Sequence, residues 1–534
     1  MKSVLCRPLS LMILGAVLTA LILVFLQVGL LQWVTMIPLI IGVSRLCDQE
    51  TCSLKKAYFH GFLTVYLFYV VIYHWFLYLY PLDFIGMDEA SSAVVVAAGW
   101  LALPILQAVV GGFMPLVMRV LAKKGLFERL PLMRPFVFAS LWVIFEWCST
   151  LTWAGVPWGR LALGQINLLP MVQSASLLGS YFVTWLLVAV NGLLAYAILY
   201  RPKALVCGIV AGSLFASNLL FGTVAQTVSY EKEENKITAA VIQGNIDSRE
   251  KWGPDSYRTT AEVYSRLTRA AAEEGAEIVV WPETAFPNTL NYRHDLQTFI
   301  SSLARECDIT LIVGTLYRDS EQNECNALFL VDNEGVIHWD PYLKRHLVPF
   351  GEYVPMRELI MTLIPPLAEV SALDGDVTPG VDSALFETAW GEIGSLICFD
   401  SIYESLALDS VRDGADLMLI SSNDNWFYDS AAIYQHQAQA QLRAIETGRY
   451  FVRAASSGIS TVIAPDGELL AYIGALEEGY AVADVYTRET KTVYTVIGNL
   501  FVYLCIAFCA FLLFVERFLH GFLLGKNHLK KHLL

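Results

Sequence analysis

Three residues along the middle of the chain have side chains that, brought together, carry out acyl chemistry. They are a carboxylate, Glu283, after "IVVWP"; an amine, Lys344, in "YLKRHLVPFGEYVP"; and a thiol, Cys398, closing "IGSLI". A thiol of ordinary pKa, about 8.5, is only a few per cent thiolate at neutral pH. A nearby ammonium lowers that pKa, and a carboxylate takes the proton. The ammonium also stabilises a tetrahedral oxyanion, together with the backbone N–H after the cysteine. Each residue alone has an ordinary explanation: a buried core cysteine, a solvated turn glutamate or helix cap, a surface lysine. One mechanism uses all three.

The stretches around them read as an α/β layered domain. "ITAAVIQGNI", "EIVVWPET", "ITLIVGTLY", "IGSLICFD", "ADLMLISSND" and "YFVRAASSGISTVIAPDGELL" have the β-rich composition of strands. Helices fall over Ser256 to Glu274, Leu296 to Glu306 and Ala432 to Gly448, and "NALFLVDNEGVIHWD" reads as a hairpin turning at Asn-Glu-Gly. Strands alternating with helices indicate layered α/β architecture, in which strand ends carry the chemistry.

The rest of the chain is far more apolar. Of 534 residues 55% are hydrophobic and only 16% charged, against about 25% charged in an average soluble domain. Most charge lies between Glu231 and Lys491. The charge-free run Pro8 to Ser44 holds two crossings joined near Gln27 to Gly29, in preference to a signal peptide. Further runs are Ala57–Pro81, Ala90–Met118, Pro135–Thr150, Leu168–Tyr200, Ala204–Val228 and Thr492–Val515. The reading is eight transmembrane helices, with residues 1–228 holding seven, 229–491 the soluble domain, 492–515 the eighth and 516–534 a basic tail. The charge-free stretch Leu161 to Tyr200 could hold two crossings; its first part is taken as interfacial or re-entrant. Lys and Arg of short loops stay cytoplasmic. Lys2, Arg7, Arg45, Lys55, Lys56, Arg119, Lys123, Lys124, Arg201, Lys203, Lys530 and Lys531 then put both termini in the cytoplasm and the α/β domain outside it. A net charge of −14 argues against nucleic acid as a partner. The ten cysteines show neither a zinc spacing nor a disulfide framework, and pairing of Cys307 with Cys325 stays open.

"VVWPET", "YLKRHLVPFGE" and "LICFD", in this order, resemble the Glu-Lys-Cys triad of the nitrilase superfamily; "LISSNDNWF" and "LRAIETGRYFVRAASSGIS" extend the likeness. Such a domain between seven membrane helices and one is similar to the apolipoprotein N-acyltransferase family, as are "VIQGNIDSREKW" and "EWCSTLTWAGVPWGRLALGQ". The resemblance implies an α-β-β-α sandwich outside the cytoplasm of a bacterial inner membrane protein. Its implied reaction passes an acyl chain from a phospholipid to the α-amine of a diacylglyceryl apolipoprotein, with neither metal nor organic cofactor. It also implies Cys398 as nucleophile, Glu283 as general base and acid, Lys344 as oxyanion stabiliser and Glu352 as an additional essential glutamate that orients Lys344 or polarises the site. Phe399, Asp400, Asn423 and Trp252 take supporting places. Phe399 and Asp400 depart from the family's common Cys-Tyr-Glu, which leaves any role of those two side chains open.

"MRELIMTLIPPLAEV", with Leu359, Leu363 and Leu367, reads as a lid dipping into the outer leaflet, or else as a core helix. Two other functions compete: a membrane-anchored amidohydrolase with water as acceptor, and a transporter or receptor with a catalytically dead outer domain. Eight helices exceed an anchor's needs. The intact triad, and most helices' lack of the Asp, Lys or Arg an ion path would want, weigh against the transporter.

Overall fold

Prolines and glycines cut the apolar runs into helices. In the computed structural model, which describes residues 7–82, 87–151, 155–227, 235–247, 251, 256–358, 362 and 376–514, the chain forms two units. The first comprises Met1–His74, Gly99–Val224 and Ile497–Leu534; the second comprises Trp75–Ala98 and Ala225–Val496.

In the first unit lie α1 (Pro8–Val24), α2 (Ile37–Asp48), α3 (Leu54–Ile72), α4 (Glu89–Gly111, entering from the second unit), α5 (Phe113–Lys123), α6 (Met133–Cys148), α7 (Ser180–Leu199) and α8 (Ala204–Ala225). Among the described residues, five helical stretches are long and apolar enough to cross a membrane: Leu26–Asp48, Leu54–Leu79, Glu89–Lys123, Ser180–Leu199 and Arg201–Ala225. The other expected crossings form shorter helices, among them α1 with 17 residues and α6 with 16. A 17-residue helix rises about 25 Å, short of a hydrocarbon core of about 30 Å. Residues 161–178 fold as three short helical turns ended by Gly179 at φ +78°, so a single long helix, α7, follows. Side-chain amides satisfy this irregular backbone: Gln32 Nε2 donates to Leu161 O at 3.0 Å and Gln165 Nε2 to Gly29 O at 2.8 Å.

The second unit is built on two sheets. The first orders its strands β13 (Gly479–Tyr486), β1 (Lys236–Gln243), β2 (Ile278–Val280), β4 (Thr310–Arg318), β5 (Glu324–Val331), β6 (Tyr342–Leu343), with β3 (Phe286–Thr289) also pairing β4. The second orders β12 (Leu469–Ile473), β11 (Ser460–Ile463), β10 (Phe451–Ala455), β9 (Leu417–Ser422), β8 (Gly391–Ile397), β7 (Phe386–Thr388). Strands β1, β2 and β4 are parallel, as are β8, β9 and β10.

Period-two alternation explains the layering. Ile237, Ala239 and Val241 of β1 share one core with Ile397, Leu419 and Val452 of the facing sheet. Ala240 and Ile242 point the other way, against α9 (Ser256–Glu273) and α10 (His294–Cys307) through Tyr264, Leu267, Leu296 and Ile300. Helices α11 (Glu404–Asp413) and α12 (Ala431–Thr447) pack on the second sheet. The order is helix, sheet, sheet, helix.

The expected hairpin turns at Asn333-Glu334-Gly335: the Gly335 N–H donates to Asp332 O at 2.9 Å and the His338 N–H to Leu330 O at 2.9 Å, and the return arm pairs antiparallel with β5 at the bridge Val331–Ile337 and again as β6. Cys307 and Cys325 are free thiols. Trp252 and the lid residues Leu359, Leu363 and Leu367 lie outside the described residues.

Candidate active site

Glu283, Lys344 and Cys398 sit just past the ends of β2, β6 and β8, and all three are buried. Cys398, at φ +50°, and Thr284, next to Glu283, at φ +44°, have left-handed backbone rarely adopted by side-chain-bearing residues. The turn bearing Glu283 fits only because β4 carries Gly314 beside it. A Cβ there would strike the Pro282 carbonyl oxygen and stand 2.9 Å from Glu283 Cα.

The carboxylates and the amine form one hydrogen-bonded cluster. Lys344 Nζ donates to Glu283 Oε1 at 2.8 Å and to Glu352 Oε1 at 2.9 Å. Asn326, at the start of β5, donates from Nδ2 to the same two oxygens, at 2.7 and 3.0 Å. The Asn423 backbone N–H reaches Glu283 Oε2 at 2.8 Å, and the Val348 N–H reaches Glu352 Oε2 at 2.8 Å. Both carboxylates are therefore fixed at both oxygens. An ammonium has three donors, so Lys344 keeps one for a ligand. Burial alone would lower its pKa, but Glu283 and then Glu352 hold it well above the ordinary lysine range.

The thiol is governed differently. Burial pushes Cys398 well above its usual value, Glu283 adds to that, and Lys344 only partly opposes. The expectation that the ammonium lowers the pKa holds in sign and loses in magnitude. The resting sulfur is protonated, and a base must take its proton as it attacks.

Asp400 explains how the lysine loop and the cysteine turn stay together. Its Oδ2 accepts from Tyr342 Oη at 2.9 Å and from the Ile397 N–H at 3.1 Å. Its Oδ1 accepts from the His346 N–H at 2.7 Å. One side chain thus ties β6 and its loop to the turn bearing Cys398. Phe399 packs edge-on against Tyr403 at 5.5 Å.

On the other side of the thiol, Asp424, His436 and Cys398 bring potential metal-ligating atoms within 4.8 Å of one another. Those atoms are committed elsewhere: His436 Nδ1 lies 2.9 Å from Asp424 Oδ1, and Arg453 Nη2 donates to Asp424 Oδ2 at 2.7 Å. His436 Nε2 lies 3.1 Å from the Cys398 carbonyl oxygen, so the group buttresses the nucleophile's backbone. A guanidinium already pairs the carboxylate a cation would need.

The structure thus brings Glu283, Lys344, Glu352, Asn423 and Asp400 into one network adjoining Cys398. Sequence reading missed Asn326, Tyr342, His436, Asp424, Arg453 and Lys251. The available signal was polar residues in otherwise buried strands and turns, such as Asn326 before "ALFLV".

A carbon-nitrogen hydrolase family model matches residues 238–493, and that of the apolipoprotein N-acyltransferase N-terminal domain matches residues 15–193. An apolipoprotein N-acyltransferase of Gloeobacter violaceus is 31% identical over 89% of this chain and 87% of its own. That of Geobacter metallireducens is 30% identical over 89% of each. Among solved structures, Saccharomyces cerevisiae Nit3, a member of branch 10 of the nitrilase superfamily, aligns with 50% of this chain and 94% of its own at 20% identity and a TM-score of 0.38.

Proposed function

The chain belongs to the apolipoprotein N-acyltransferase family and is an acyltransferase of lipoprotein N-acylation; on that premise we propose a two-step transfer through a Cys398 thioester, with a membrane phospholipid as donor. The observation that carries the reading is the buried Glu283–Lys344–Glu352 cluster adjoining the buried thiol of Cys398. Such a cluster supplies a base, an oxyanion partner and a fixed frame for both.

In the first step Glu283 takes the thiol proton as Cys398 Sγ attacks the sn-1 ester carbonyl. The oxyanion rests on the third donor of Lys344 and on the Phe399 N–H. Collapse expels the lysophospholipid alkoxide, which receives the proton back from Glu283. In the second step the α-amine of the diacylglyceryl cysteine attacks the thioester, and Glu283 takes its proton. Collapse forms the amide and returns a thiolate, which Glu283 reprotonates. Glu352 and Asn326 hold Lys344 and Glu283 in register.

Both substrates carry long acyl chains, each buried methylene being worth about 0.8 kcal/mol, so they stay with the bilayer. The five long helices fit such a protein, and the distribution of Lys and Arg supports eight crossings with the α/β domain outside the cytoplasm. Domain limits of 1–228, 229–491, 492–515 and 516–534 follow from that reading, and Leu359, Leu363 and Leu367 remain proposed as a lid.

The test is a mass measurement. Purified protein in mixed micelles with phospholipid and a diacylglyceryl lipopeptide should give a lipopeptide one acyl chain heavier at its α-amine. Free fatty acid with an unchanged lipopeptide would instead establish water as acceptor.

A further inference from the structure

The mechanism above gives no task to Lys251, whose position argues for one. The residue is 3% exposed, and its ammonium donates to the Glu283 carbonyl oxygen at 3.2 Å and to Thr284 Oγ1 at 2.9 Å. Its segment is anchored: the Asn245 N–H donates to Ser456 O at 2.8 Å, Asn245 Nδ2 to Leu476 O at 2.7 Å, and Asn425 Nδ2 to Ile246 O at 2.8 Å. Loops following β1, β9 and β10 thus converge to deliver one cation to the turn that carries the candidate base.

Both acceptors are neutral. Burying an ammonium against a carbonyl and a hydroxyl is costly, whereas a methionine of similar length would fill the space without that cost. Packing therefore does not explain the charge. The titratable groups around it are Glu283, on the turn it touches, and Cys398 at the end of β8, with Lys344 and Glu352 beyond Glu283 and Asp424 beyond Cys398.

We propose that Lys251 is a positioning residue of acyl transfer: its ammonium clamps the left-handed Glu283–Thr284 turn and sets a second positive charge where Cys398 must release its proton. The inference rests on the assignment of Glu283 and Cys398 made above. Burial pushes the Lys251 ammonium down to about 8, with Glu283 and Cys398 partly opposing. The charge is therefore present at neutral pH and lost as pH rises through that value.

The experiment reads the first half-reaction alone, so that the acceptor amine's own titration does not enter. Full-length enzyme in mixed micelles is given phospholipid without acceptor, and single-turnover thioester formation is followed from pH 6 to 10, alongside thermal melting. Lys251→Met should lose about tenfold or more in rate, with an unchanged half-saturating phospholipid concentration and a melting temperature at or above that of the parent. Lys251→Arg should restore part of the rate and move the alkaline limb up from about 8. A parent-like rate in Lys251→Met, a rate loss matched by lower melting, or an unmoved limb in Lys251→Arg would each overturn the proposal. Cys398→Ser separates the two readings: if it still takes up acyl chain, the thioester assignment has failed and not the lysine's role alone.

Discussion

At Cys398 burial and the Glu283 carboxylate outweigh the Lys344 ammonium, so the resting sulfur keeps its proton. Alkylation of Cys398 by a small uncharged reagent should therefore climb with pH and show no plateau below pH 9; a plateau near pH 7 would mean a preformed thiolate. Asn326 carries the second argument at this scale. Its amide bridges Glu283 and Glu352, two carboxylates otherwise sharing one ammonium. Asn326→Ala removes hydrogen bonds to charged groups, each worth about 1.5–3 kcal/mol. It should lower both the transfer rate and the melting temperature, with Asn326→Asp worse because it adds a third negative charge. The three chemical residue types were legible in the sequence because one mechanism needs them together. Asn326 was not, since its partners come from two distant loops and sequence alone does not show that a polar residue near a strand's start is buried.

Among the elements, strand ends do the positioning and two small features hold them. Gly314 lets the Glu283 turn lie against β4. Gly314→Ala should displace Glu283 and cut thioester formation at least about tenfold, with the helical and strand content seen by circular dichroism unchanged. Asp400 ties the Lys344 loop to the Cys398 turn. Burial pushes its carboxyl up to about 6, with the His346 N–H opposing. As pH falls through that value Asp400 gains a proton and accepts fewer hydrogen bonds, so the rate should fall. Because its native pKa lies above its unfolded one, the same protonation favours the folded state. An acid loss of rate without acid unfolding from this group is the expected result, and Asp400→Asn should be slow throughout with no such step. The β-rich composition of the strand segments, alternating with helical ones, revealed most of these elements in advance. The hairpin at Asn333 was legible from its turn residues, but turn chemistry did not say that its return arm pairs as a ladder over only Tyr342–Leu343 beyond one bridge at Ile337.

For the whole molecule, sequence composition separated an apolar region from a charged one, but helix lengths could not be read from apolar runs alone. Residues 161–178 are as apolar as a crossing helix, and Pro170 and Gly179 turn them into short segments. Side of the membrane is the proposal most open to test. Val381 is 82% exposed, next to Gly380, whose N–H donates to Lys344 O at 2.8 Å. A Val381→Cys variant should react with a membrane-impermeant maleimide in spheroplasts; protection until the membrane is broken would put the α/β domain inside. The central claim is that Cys398 carries the acyl chain, and intact-mass and peptide spectra of enzyme given phospholipid alone test it most directly. The account predicts an acyl mass on the Cys398 peptide, labile to neutral hydroxylamine and discharged when lipopeptide is added. An acylated lipopeptide formed at full rate by Cys398→Ser would contradict it.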